Sequence, residues 1–158
     1  MKSIEQQVRA MAFQWPGFAV TVQIGQSVTW EGLLAPDKRQ HLVRISYRVP
    51  LAIENITVVD VQPRVQVIDP RLEWHPDYEE GPIPHVYRNE KDRSLPYLCL
   101  FDPTAREWDV GDLIADTTVF WAWEWLYFYE GWLVTKRWHG GGRHLRKVAG
   151  KTKRLETV

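Results

Sequence analysis

The sequence predicts an α+β domain on three observations: a capped apolar helix at the start, four alternating segments separated by short turns, and a long aromatic helix towards the end. At 158 residues the chain can fill one substantial core, and it is too short for a catalytic domain plus a separate nucleotide-binding domain. Its apolar fraction of 44% against 25% charged residues sets disorder aside.

Ser3, followed by Ile4, Val8, Met11 and Ala12, supplies an N-cap and an apolar face at helical spacing, and Trp15-Pro16-Gly17 ends the helix. Phe18 to Ile24 reads as a strand, Gly25-Gln26 as a tight turn, and Ser27 to Leu34 as the hairpin partner. Ala35 to Lys38 turns the chain into His41 to Val49, which puts Val43, Ile45, Tyr47 and Val49 on one face and Leu42 with its even partners on the other. Pro50 closes that strand, and Arg64 to Ile68 alternates again until Asp69-Pro70. These elements make a helix followed by a four-stranded antiparallel meander.

From Arg71 to Pro103 prolines punctuate the chain and regular structure is expected to run out. Long ordered loops in compact domains are usually functional, so this stretch is where a site is sought. Beyond it, Asp109 is expected to cap a second helix, with Asp112 in its first turn favoured by the helix dipole. Val110, Leu113, Ile114, Thr117, Trp121, Trp125, Phe128 and Trp132 then recur at three- and four-residue steps, predicting an amphipathic helix of about six turns, broken or bent near Gly131, that covers the open sheet face. Nine tryptophans point to a large core, a binding surface, or both.

A formal net charge of zero argues against binding nucleic acid by bulk electrostatics. Between Lys136 and Val158, Lys and Arg outnumber the single acid Glu156, which reads as a solvated basic terminus, so nucleic acid is not an expected partner. Glu5 and Arg9 fall where an export signal needs an unbroken apolar run. The most apolar stretch, Thr117 to Val134, carries Glu124 and Glu130, which suits a buried helix better than a membrane span. One unpaired cysteine and no export signal give a cytoplasmic protein as the expectation.

That cysteine, Cys99, lies in Leu95-Pro96-Tyr97-Leu98-Cys99-Leu100-Phe101-Asp102-Pro103. A single sulfur cannot close an internal disulfide or build a cysteine-rich zinc site, so it is either a nucleophile or a filler of core volume. His85 lies upstream, but no protease signature surrounds the pair. His75, His85, His139 and His144 read as separate surface histidines rather than a metal centre. His139-Gly140-Gly141-Gly142 lacks the G-x-S-x-G turn that accompanies an esterase oxyanion loop. The phosphate-binding glycine motifs are also missing, so no nucleotide, metal or other cofactor is expected.

The order of helix, meander, loop with a histidine and one cysteine, tryptophan and long helix resembles the ubiquitin-conjugating (UBC, E2-type) fold. The residues that carry the likeness are Tyr47 to Pro50, Pro84-His85-Val86-Tyr87, Leu98-Cys99-Leu100, Trp108 and the helix from Val110. The tryptophan-rich Trp121 to Trp132 and the ending Trp138-His139-Gly140 with His144 are similar to divergent bacterial members found in CBASS anti-phage operons beside a cGAS-like nucleotidyltransferase. The resemblance implies a catalytic domain over residues 1–145 and a flexible basic tail over 146–158. It implies an E2-like transferase in which Cys99 forms a thioester with the nucleotidyltransferase's C-terminal tail and passes it to a target lysine. Either a separate E1-like activating enzyme would load it, or the partner would reach Cys99 by another route. His85 would shape the active-site loop, Asp102 would position the incoming amine, and Trp108 and Tyr87 would contact a partner. The family's His-Pro-Asn is His85-Val86-Tyr87 here, which leaves oxyanion support to Asn89 or a backbone N–H. The alternative is a noncatalytic E2-like binding module in which Cys99 only packs.

Overall fold

In a computed structural model that describes residues 1–51, 58–102, 105 and 107–140, helix α1 spans Ile4–Gln14. Ser3 caps it in a reciprocal box: its hydroxyl accepts from the Gln6 N–H while the Gln6 carboxamide accepts from the Ser3 N–H. Ile4 and Met11 turn into the core as expected, but Ala12 is exposed and Gln7 is fully buried in its stead. Gln7 is accommodated because both ends of its carboxamide are paired, donating to Asp112 O at 2.8 Å and accepting from Ile114 N at 2.9 Å. It thereby pins α1 to the segment that leads into the last helix.

Strands β1 (Ala19–Ile24), β2 (Ser27–Leu34), β3 (His41–Arg48) and β4 (Arg64–Asp69) form one antiparallel sheet in the order β1-β2-β3-β4. A single turn, α2 (Val58–Val61), precedes β4. Alternation on β3 is as the sequence predicts, with His41, Val43, Ile45 and Tyr47 buried. On β2 the inward row is Val28, Trp30, Gly32 and Leu34. Gly32 is required there, since a Cβ would stand 2.5 Å from the Phe18 ring packed over it. Strand β1 bulges between Val20 and Val22, and all six of its residues are exposed.

The stretch from Arg71 is not wholly irregular. It holds a short antiparallel hairpin, β5 (Val86–Tyr87) and β6 (Tyr97–Leu98), with Val86 opposite Leu98 and Tyr87 opposite Tyr97. Gln66 of β4 donates to Leu95 O at 2.9 Å and the Arg64 guanidinium lies over the Tyr97 ring, so the hairpin is fastened to the edge of the sheet.

Helix α3 spans Thr118–Thr135 and starts eight residues later than the Val110 at which its apolar spacing begins. Asp109 caps a turn instead of a helix: its carboxylate accepts the Gly111 N–H, and the Asp112 carboxylate accepts the Asp109 N–H. The Ile114 N–H is already committed to Gln7, and consecutive turns bury Ile114 while Val110 and Leu113 stay half-buried. Gly131 does not break the helix, which runs on until Lys136 adopts a left-handed backbone at φ 63°. Nor is α3 amphipathic. Val119, Ala122, Trp125, Leu126, Tyr129 and Trp132 are buried, yet Phe120, Tyr127 and Val134 face outwards. Glu130 lies on the inner side, its carboxylate 2.8 Å from His41 Nε2 and 3.0 Å from the Lys38 N–H. Val119, Ala122 and Leu126 join Ile4, Met11, Trp30, Ile45 and Val65 in one core cluster. Residue His144 and the basic segment 146–158 lie outside the described residues.

Candidate active site

The lone cysteine stands immediately after β6, where the hairpin meets α3. Its backbone N–H donates to His85 O at 2.9 Å, continuing the β5–β6 ladder by one rung, and Trp125 Nε1 of α3 donates to the same carbonyl at 3.2 Å. His85 has a left-handed backbone at φ 49°, an uncommon state for a residue with a Cβ. That conformation breaks the side-chain alternation of the hairpin. The imidazole engages Glu80 at 3.2 Å and packs against Trp138 at a centroid distance of 5.1 Å, so His85 reaches Cys99 through its carbonyl oxygen.

The sulfur itself is half-buried. Tyr87 Oη lies 3.3 Å from Sγ, and Phe101 O lies 3.7 Å from it. Tyr87 is diagonal to Cys99 across the hairpin, a separation that an aromatic side chain spans. Burial pushes the Cys99 thiol up from its ordinary value, the nearby carboxylates of Asp102 and Glu107 push the same way, and the Tyr87 hydrogen bond opposes them. The resting thiol is therefore protonated at neutral pH. Burial also raises the Tyr87 phenol, followed by its hydrogen bond to Cys99, while Gln62 hydrogen-bonds to the phenolic oxygen and favours the ionised form.

Of the residues singled out in the sequence, Cys99, His85, Tyr87 and Asp102 come together here. Asn89 does not join them through any of its hydrogen bonds. Its side chain donates to Leu95 O at 3.0 Å and accepts from Lys91 N at 3.1 Å, which ties the loop between β5 and β6 and commits it to structure. Trp108 is corrected as well. It is 1% exposed and packs edge-on against Tyr47, so it holds the core rather than a partner. Three contributors escaped the sequence reading: Trp125 had been assigned only to packing, and neither Gln62 nor Glu80 sits at a spacing that marks it. Among the described residues no group of three His, Cys, Asp or Glu side chains comes together to hold a metal.

A protonated thiol with a phenol against it, beside a His85 imidazole that engages Glu80 and Trp138, is unlike a protease dyad.

A leading helix, a four-stranded antiparallel meander, a cysteine-bearing hairpin and a long closing helix together define a protein of the ubiquitin-conjugating, E2-like class. More narrowly, the chain belongs to the Type II CBASS E2 protein family, whose model matches residues 7–145, and its role lies in CBASS defence. No curated protein matches it. Among the described residues no helix is long and apolar enough to cross a membrane.

Proposed function

We propose that Cys99 accepts the C-terminal acyl group of a partner protein as a thioester and passes it to an amine on a target. The observation that carries this reading is the chain's single thiol, half-buried at the end of a fastened hairpin with a phenol 3.3 Å from its sulfur. Membership of the CBASS E2 family supports it, and on that basis the partner is a cGAS-like nucleotidyltransferase and the acceptor a lysine. The acyl group arrives already activated by a separate E1-like enzyme. Asp102, close enough to act on the Cys99 charge, would position the incoming lysine amine, which must be neutral before its lone pair attacks. Residues 1–145 carry this chemistry, with 146–158 as an appended basic segment.

Mixing the protein with its activated partner should give an adduct that thiols reverse and that Cys99→Ala abolishes. Failure to form any adduct under activating conditions would refute the proposal. One observation favours a noncatalytic binding module: the thiol is pushed up by burial and by the two carboxylates of Asp102 and Glu107. That reading requires Cys99→Ser to leave the defence phenotype intact.

A further inference from the structure

We infer that Tyr87 is a catalytic residue whose hydroxyl donates a hydrogen bond to the acyl oxygen while Cys99 is acylated and deacylated. The inference rests on the thioester reading above and names the group that stabilises its transition state. In acylation the Cys99 sulfur lone pair forms a bond to the carbonyl carbon of the incoming thioester, and the C=O π pair moves onto oxygen. The oxyanion then collapses, the C–S bond to the donor breaks, and that thiolate leaves with the proton Cys99 gave up to solvent. The charge to be stabilised sits on an oxygen two bonds from Sγ. A donor already within hydrogen-bond reach of Sγ is therefore within reach of that oxygen once the carbon is attached.

Tyr87 Oη meets this condition at 3.3 Å from Sγ. Register explains why it does: Tyr87 pairs with Tyr97, Cys99 bonds to His85 O, and the left-handed backbone at His85 sends its imidazole to Glu80 and Trp138. The diagonal place beside the sulfur then falls to the tyrosine. Gln62 hydrogen-bonds to the phenolic oxygen as a donor and the resting Cys99 thiol donates to the same oxygen; once the sulfur has lost its proton, the hydroxyl proton turns towards the sulfur and its acyl group. The phenol is held in its neutral, donating form by burial. Asn89, the nearest asparagine in sequence, is buried and spends its side chain on Leu95 and Lys91.

Tyr87→Phe removes the hydroxyl and keeps the ring. The test compares two reactions of Cys99 in the full chain, followed by intact mass at matched thiolate fraction. The acyl donor is the mercaptoethanesulfonate thioester of acetylglycine; the alkylating agent is iodoacetamide, whose displacement at saturated carbon builds no oxyanion. Tyr87→Phe is expected to slow acylation by about 100-fold or more, the effect of deleting one oxyanion donor, while alkylation changes less than about 3-fold. Equal slowing of both reactions would make Tyr87 a structural support of the thiol, and unchanged acylation would remove any role; either overturns the assignment alone. A wild-type Cys99 that alkylates but is not acylated overturns the thioester reading and this assignment with it.

Discussion

Replacing Glu130 by alanine is expected to cost about 3 to 5 kcal/mol of stability, the range for stripping one partner from a buried pair. The carboxylate is 7% exposed and the His41 ring 1%, so water cannot replace what is lost. Both the Lys38 N–H and the His41 ring nitrogen lose their acceptor, and a cavity opens beside Tyr129. Glutamine keeps the volume and one acceptor oxygen, so Glu130→Gln should cost less, about 1 to 2 kcal/mol. Urea unfolding followed by tryptophan fluorescence reads both. With a slope near 2 kcal/mol/M, the midpoint should fall by about 2 M for alanine and by under about 1 M for glutamine. Acid supplies a second check. Burial pushes the Glu130 carboxyl up, but the Lys38 N–H and the His41 ring outweigh it and hold it below the ordinary value of 4.5. A depressed folded value gives stability that is present above 4.5 and lost as the pH falls through it, so the gap between wild type and Glu130→Gln should close on acidification. An alanine variant whose midpoint moves by less than about 0.3 M would refute the reasoning.

Alkylation of Cys99 should still be accelerating with pH beyond the ordinary thiol value of 9.0, and Asp102→Asn should speed it at neutral pH by removing a negative charge; a plateau below that value would contradict the raised thiol. Gln7→Ala leaves the Ile114 N–H and Asp112 O unpaired in the interior and should cost about 2 to 4 kcal/mol in urea, where an exposed glutamine would cost almost nothing. Gly32→Ala drives a methyl into the Phe18 ring and should cost about 1 to 3 kcal/mol, relieved by adding Phe18→Leu.

The strands were legible because each carries period-two alternation ended by a turn residue, as His41 to Tyr47 shows, and a strand's inward face follows directly from that period. The start of α3 was not. Val110, Leu113 and Ile114 repeat at helical spacing, yet they lie on consecutive turns, and the Ile114 N–H goes to Gln7, more than a hundred residues away. Gln7 was missed for the matching reason, since a polar side chain reads as exposed until its two partners are known. At the site, Cys99 was found by being single and His85 by its place before it. The meeting of Tyr87 with the sulfur depends on hairpin register and on a left-handed residue, neither of which is written in spacing. The fully exposed β1 was also unforeseen, because alternation says which face could be buried, and only the tertiary arrangement decides whether anything covers it.

The most direct test of the central claim is intact mass of the protein after incubation with its activated partner, with and without reductant. A thioester through Cys99 predicts one adduct of the partner's mass less water, lost on thiol treatment and missing in Cys99→Ala. An adduct that survives in Cys99→Ala, or none at all from a partner shown to be activated, would contradict it.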